Sequence, residues 1–337
     1  MQEFIKRVIS KENLFQEEAS KVMEIMMQGE ATPSQIAGFL VALKLKGETA
    51  EEVAGFAKTM RKHSVKIEIE DKNAVDGCGT GGDGSNSFNI STAAAIVASA
   101  ARVTVAKHGN RSVSSACGSA DILEASGAKI DPGINVVEKT INELQFGFMF
   151  APRFHPAMKY AVSPRKELGV RTVFNILGPM TNPAGVKRQV IGVYNQFLMK
   201  LVAEVMKLLE SEHILVVHSR DGMDEFSVCA PTDFLELKNG EINSRTITPL
   251  EVGLTTYPSA SLAGGDASHN LQILNDILEG EDTSYREAVL FNAGALIYVA
   301  GKADSIWDGV SAARDAIDWG AAKQKFQSWI KATKQIQ

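Results

Sequence analysis

The sequence predicts an α/β protein: a small helical N-terminal domain plus a larger, mainly parallel α/β domain with a helical C-terminal region. Three observations carry this. The first 65 residues read as helices with explicit start and stop signals. From Ala74 onward short β-rich runs alternate with helical stretches. From Ser268 to the end helical patterning returns. Strands alternating with helices imply parallel strands with crossover helices on the sheet faces.

In the first part, Glu17 to Met27 carries apolar residues at helical spacing and stops at Gly29. Thr32-Pro33-Ser34-Gln35 is a capping box with proline at the first helical position, and Gly47 closes that helix. Thr49-Ala50-Glu51-Glu52 opens another, running to about His63, and Val65 to Asp71 reads as a linker. Strands are expected after Ala74, at 103–106, at Phe146–Phe150, at Val190–Tyr194 and at Ile214–Val217, with helices at 91–101, 119–126, 135–145 and 196–210. Residues 226–247 alternate around Asn239-Gly240, which predicts a β-hairpin.

Loops at the carboxyl ends of such strands carry chemistry. Asp76-Gly77-Cys78-Gly79-Thr80-Gly81-Gly82-Asp83-Gly84 is strand, then glycine loop, and a helix starts near Ser91. Glycines bring backbone N–H groups close to an anion and a helix start adds partial positive charge, so a phosphate-rich ligand is expected. No acidic residue ends the next strand, as a dinucleotide site requires, and no Gly-Lys-Ser/Thr follows, as a Walker loop requires. Asn89 and Ser91 are either plain N-caps or diphosphate and metal ligands. Lys107-His108-Gly109-Asn110-Arg111, followed by Ser112 to Ser115, is either a surface charge run or a clamp for a second phosphate. Gly118-Ser119-Ala120-Asp121 is a further helix start of the same kind. Asp224-Glu225 is a solvated acidic turn or, beside several phosphate charges, a Mg²⁺ site. Arg165 has a role only if a carboxylate-bearing substrate needs a bidentate fork. His63, His213 and His269 read as structural.

The 337-residue chain has 45% apolar and 22% charged residues and a net charge of −5, which argues against nonspecific nucleic-acid binding. No apolar run reaches membrane-spanning length and no signal peptide is apparent. Three widely spaced cysteines, Cys78, Cys117 and Cys229, lack metal-ligand spacing and fit reduced thiols in a cytoplasm.

The motifs at 76–83, 88–92, 107–112, 118–121, 174–183 (Phe-Asn-Ile-Leu-Gly-Pro-Met-Thr-Asn-Pro) and 221–225 occur in order, and together the chain resembles the anthranilate phosphoribosyltransferases, of the nucleoside phosphorylase-like phosphoribosyltransferase family. The resemblance implies residues 1–65 as a helical domain with a returning segment at about 163–186, and residues 73–337 as the domain binding 5-phosphoribosyl 1-diphosphate (PRPP). It implies transfer of phosphoribosyl to the amine of anthranilate in tryptophan biosynthesis, Mg²⁺ (two ions), a cytoplasmic homodimer, and neither nucleic acid nor membrane as partner. Carried over by position, it places Gly79, Thr80, Gly81, Gly82, Asp83, Asn89, Ser91, Thr92, Lys107 and Ser119 on PRPP. Gly79, His108, Asn110, Arg165, His155 and Pro179 would line the anthranilate path, and Ser91, Asp224 and Glu225 would hold metal. No residue is implied as a catalytic acid or base. Ser87, Cys78, Met223 and Phe226 depart mildly from the family pattern. Two rival readings are a nucleoside phosphorylase, which would need no Asp-Glu pair, and a nucleic-acid-binding relative of the same fold, which would have a basic face.

Overall fold

A computed structural model describes residues 1–112 and 116–335. The expected serines Ser114 and Ser115 lie outside the described residues. Four helices open the chain: α1 (Gln2–Ile9), α2 (Gln16–Met27), α3 (Pro33–Lys46) and α4 (Ala50–His63). Both capping boxes form as expected. Thr32 Oγ1 accepts from Gln35 N while Gln35 Oε1 accepts from Thr32 N, and Thr49 and Glu52 do the same. Such caps stabilise a helix start by about 1 kcal/mol each.

Then follow β1 (Val75–Gly79), α5 (Ile90–Ala100), β2 (Val105–Gly109), α6 (Ser119–Ala125), α7 (Ile134–Leu144), β3 (Phe146–Phe150), α8 (Ala151–Phe154), α9 (Lys159–Leu168), α10 (Phe174–Met180), β4 (Arg188–Gly192), α11 (Leu198–Leu208) and β5 (His213–Ser219). The hairpin expected at Asn239-Gly240 joins β6 (Thr232–Lys238) to β7 (Glu241–Ile247). Helices α12 (Ala267–Glu279), α13 (Ser284–Val299), α14 (Ile306–Asp318) and α15 (Ala321–Lys334) complete the chain.

Among the described residues seven strands make one sheet in the order β3-β2-β1-β4-β5-β6-β7. β1 to β5 are parallel, and the last two pairings are antiparallel. The chain leaves β1 for β2 on one side and later returns to place β4 on the other. This is a topological switch point, and the crevice beyond the carboxyl ends of β1 and β4 is where such sheets bind ligands.

Two large cores flank the sheet. On one face α5 is buried on nearly all sides, because α13, α14 and α15 cover it from behind. Its small residues, Ala93 to Ala95 and Ala98, let those helices approach. On the other face α1 to α4 share a core with Ala161 of α9, with Phe174, Ile176, Leu177 and Met180 of α10, and with α11. The α9–α10 segment therefore packs against the helical part. Two prolines, Pro164 and Pro179, lie inside its short helices.

Candidate active site

The site grows from close approaches that only glycine permits. The turn after β5 drops across the ends of β1 and β4. A Cβ on Gly192 would lie 1.6 Å from the carbonyl oxygen of Asp224, and one on Gly79 would lie 2.1 Å from Asp224 Oδ2. Neither distance is possible for real atoms, so both positions must be glycine for the acidic turn to reach the switch point.

There the two carboxylates meet the amides expected to bind phosphate. Asp224 Oδ2 accepts from Gly81 N at 2.8 Å, and Glu225 Oε1 accepts from Ser91 N, in the first turn of α5, at 3.1 Å. Asp83 Oδ2 accepts from Asp224 N at 3.3 Å, so a third carboxylate stands beside the pair. Burial, and then the charge of Asp83, raises Asp224 to about 7. Burial, and then the charges of Asp224 and Asp83, raises Glu225 well above the usual carboxylate range. Glu225 Oε2 is buried with no hydrogen-bond partner.

Lys107 is 2% exposed, and its Nζ donates to Gly77 O at 2.7 Å with Ser91 Oγ at 3.5 Å. Behind it, the fully buried Asp76 accepts from His108 N and from Asn182 Nδ2, which also donates to Ala106 O. Sequence reasoning did not single out this tie between the 174–183 motif and the strand ends. Ser119 Oγ donates to Asn110 O at 3.1 Å, in the space that Gly109 leaves open.

Not every expected group faces the crevice. Asn89 engages its side chain with Cys117 O and Asn270 Nδ2, on the protein side of the loop. Thr92 is 1% exposed. Arg111, expected among the clamp cations, turns to Glu124 and Asp121 on α6, where two carboxylates already satisfy its guanidinium.

A second cluster lies toward the helical side. His108 and His155 are each 7% exposed, with ring centroids 5.1 Å apart. Burial lowers His108 to about 3 and His155 to about 4, so both rings are neutral at physiological pH. Gly178 and Thr181 supply backbone partners to these rings, while both Nε2 atoms are buried without one. Pro179 lies between those two backbone partners. Arg165 stacks over the Phe174 ring at 5.0 Å and has no carboxylate partner among the described residues, and burial lowers its pKa. Arg171 donates to Gly82 O and lies 4.1 Å over the Tyr194 ring. It thus bridges the segment before α10 to the glycine loop.

Residues 71–323 match the glycosyl transferase family a/b domain and residues 2–64 its helical bundle domain. An anthranilate phosphoribosyltransferase of Alkaliphilus metalliredigens is 49% identical over 336 residues, spanning 100% of this chain and 99% of its own. The chain belongs to the anthranilate phosphoribosyltransferases. The crystal structure of the anthranilate phosphoribosyltransferase from Thermus thermophilus superposes with a TM-score of 0.94 at 41% identity, covering 98% of this chain and 99% of that one. The Saccharomyces cerevisiae anthranilate phosphoribosyltransferase, in complex with PRPP and Mg, superposes with a TM-score of 0.90 at 26% identity, covering 98% and 97%. The chain is thus a phosphoribosyltransferase of tryptophan biosynthesis that transfers phosphoribosyl from PRPP to the anthranilate amine, giving N-(5-phosphoribosyl)anthranilate and diphosphate. Among the described residues no helix is long and apolar enough to cross a membrane.

Proposed function

We propose that the transfer takes place at the carboxyl ends of β1, β2 and β4, beneath the Asp224-Glu225 turn. The observation that carries this is the seating of that acid pair on the amides of Gly81 and Ser91. The glycine loop from Gly79 to Asp83, residues Asn89, Ser91 and Thr92 at the start of α5, and Ser119 take PRPP. Lys107 supplies a fixed charge beside the sugar phosphate.

The acid pair fits Mg²⁺. The two adjacent carboxylates are half-buried, no cation is hydrogen-bonded to either, and Glu225 Oε2 is unpartnered, while among the described residues no group of three His, Cys, Asp or Glu could hold a metal alone. That suits an ion that keeps waters and binds through one or two carboxylates plus substrate phosphates. Mg²⁺, as two ions held by Ser91, Asp224 and Glu225, would neutralise diphosphate charge and make it a better leaving group.

The protein's own contribution is placement. Arg165 forks the anthranilate carboxylate. Gly79, the neutral rings of His108 and His155, Asn110 and Pro179 wall the path. An aromatic amine is unprotonated at neutral pH, so holding its nitrogen at the sugar carbon is the main requirement, and no residue need act as a base. Closure of the helical unit (1–65 with 163–186) onto the α/β unit (73–337) would bring the acceptor to the donor.

The exposed apolar side chains of Ile9, Phe15, Leu45, Tyr160, Val162 and Val170 lie on the helical side and support a homodimer formed there, measurable by light scattering. The three cysteines form no disulfide among the described residues, which supports a cytoplasmic location.

The test is the fall of anthranilate fluorescence when protein, Mg²⁺ and PRPP are mixed and each is omitted in turn. The proposal requires all three. Equal loss without Mg²⁺ would remove the role given to the acid pair.

A further inference from the structure

Asn292 sits in the middle of α13, on a helix whose neighbouring residues Leu290, Phe291, Ala293 and Ala295 are buried and apolar. A polar side chain on such a face is costly unless every group finds a partner. Here every group does. Asn292 Oδ1 accepts from Phe226 N at 3.0 Å, and Nδ2 donates to Phe226 O at 2.8 Å and to Ala288 O at 2.9 Å.

The first two bonds grip both backbone groups of one residue, as a neighbouring β-strand would. That residue directly follows Glu225. Its ring is fully buried, stacked on Phe291 at 5.0 Å and edge-on to Phe234 at 5.7 Å. The peptide leaving the acid pair is therefore fixed by hydrogen bonds on one side and by ring packing on the other. Asn292 also lines, with Asp224, Glu225, Ser91, Gly79 and Gly192, a cavity of about 20 Å³ beneath the pair.

We propose that Asn292 is a positioning residue for the metal–PRPP site: by pairing both backbone groups of Phe226 it sets the direction in which Asp224 and Glu225 present their carboxylates. This rests on the reading that the acid pair holds Mg²⁺. Partners that orient metal ligands typically change metal affinity or activity by about 10–100-fold when removed. Asn292 hydrogen-bonds only Phe226 and Ala288 and none of the groups assigned to anthranilate, so its loss is expected to separate the two substrates.

The test uses the full-length chain with Asn292→Ala, and Asn292→Ser as a milder variant in case the first does not fold. Mn²⁺ binding in the presence of PRPP is read by electron paramagnetic resonance, alongside the Mg²⁺ dependence of turnover and the KM for anthranilate. The expected result is Mn²⁺ affinity weakened at least about tenfold, turnover that recovers as Mg²⁺ is raised, and an anthranilate KM within about twofold of wild type. Wild-type Mn²⁺ affinity in a folded variant, or lost turnover that Mg²⁺ does not restore, would overturn the role of Asn292 alone. Failure of the wild type to bind Mn²⁺ with PRPP would overturn the metal reading beneath it as well.

Discussion

Gly81 N donates to Asp224 Oδ2 at 2.8 Å, joining the glycine loop to a turn 143 positions later in the chain. The loop amide is thus occupied by a carboxylate of the same protein, and Glu225 occupies Ser91 N in the same way. Replacing both acids by neutral isosteres, Asp224→Asn with Glu225→Gln, is expected to lower turnover by at least about a hundredfold, in line with the loss of a central electrostatic contact. The Mg²⁺ concentration for half-maximal rate should rise as well. Steady-state kinetics over a Mg²⁺ series checks this, and unchanged kinetics would remove the metal role.

Gly79 and Gly192 make the approach possible. Gly192→Ala drives a methyl group into the Asp224 carbonyl and Gly79→Ala drives one into its carboxylate. Each should cost about 1–3 kcal/mol in a urea titration and abolish most activity. Gly38, exposed on α3 with open space around it, is the control. Gly38→Ala should raise stability by about 0.5–1 kcal/mol, since alanine is the better helix former.

Arg165 has a ring beneath it and no acidic partner among the described residues. Arg165→Ala is expected to raise the KM for anthranilate by about 10–100-fold, the range for losing a charge-assisted fork, with a smaller change for PRPP. Equal changes in both would mean that the arginine acts through closure of the two units.

The buried histidines set an acid limit on stability. The unfolded chain protonates histidine near pH 6.5, whereas the folded chain resists until about 3 at His108 and about 4 at His155. Below pH 6.5 the unfolded state therefore binds more protons, and stability falls as pH drops from about 6.5 toward about 4. The loss at His155 alone is on the order of 3 kcal/mol by pH 4. Urea midpoints across this window should fall for wild type and flatten for His155→Asn.

Much of this was legible in the chain because the signals are local. Thr32 with Gln35, Thr49 with Glu52, and Asn239-Gly240 each specify a cap or turn within four residues, and each forms. The glycine loop and the acid pair were legible as chemistry because each is a short contiguous run placed after a β-rich segment. What stayed hidden depends on distant partners. Asn292 lies in an apolar helix with nothing local to mark it, since its partner Phe226 is 66 positions away. Asp76 reads as part of the phosphate loop, yet it faces inward to Asn182. Arg111 looks like a phosphate ligand until α6 brings Glu124 beside it. After β3, Ala151–Phe154 forms a short helix with proline in its first turn, too short to leave a periodic signal in the chain.

The most direct test is a crystal soaked with PRPP and Mg²⁺. The account predicts diphosphate over Gly79 to Asp83 and the first turn of α5, metal between Ser91, Asp224 and Glu225, and the sugar phosphate near Lys107. Donor bound elsewhere, with Gly81 N still held by Asp224 and no metal at the acid pair, would contradict it.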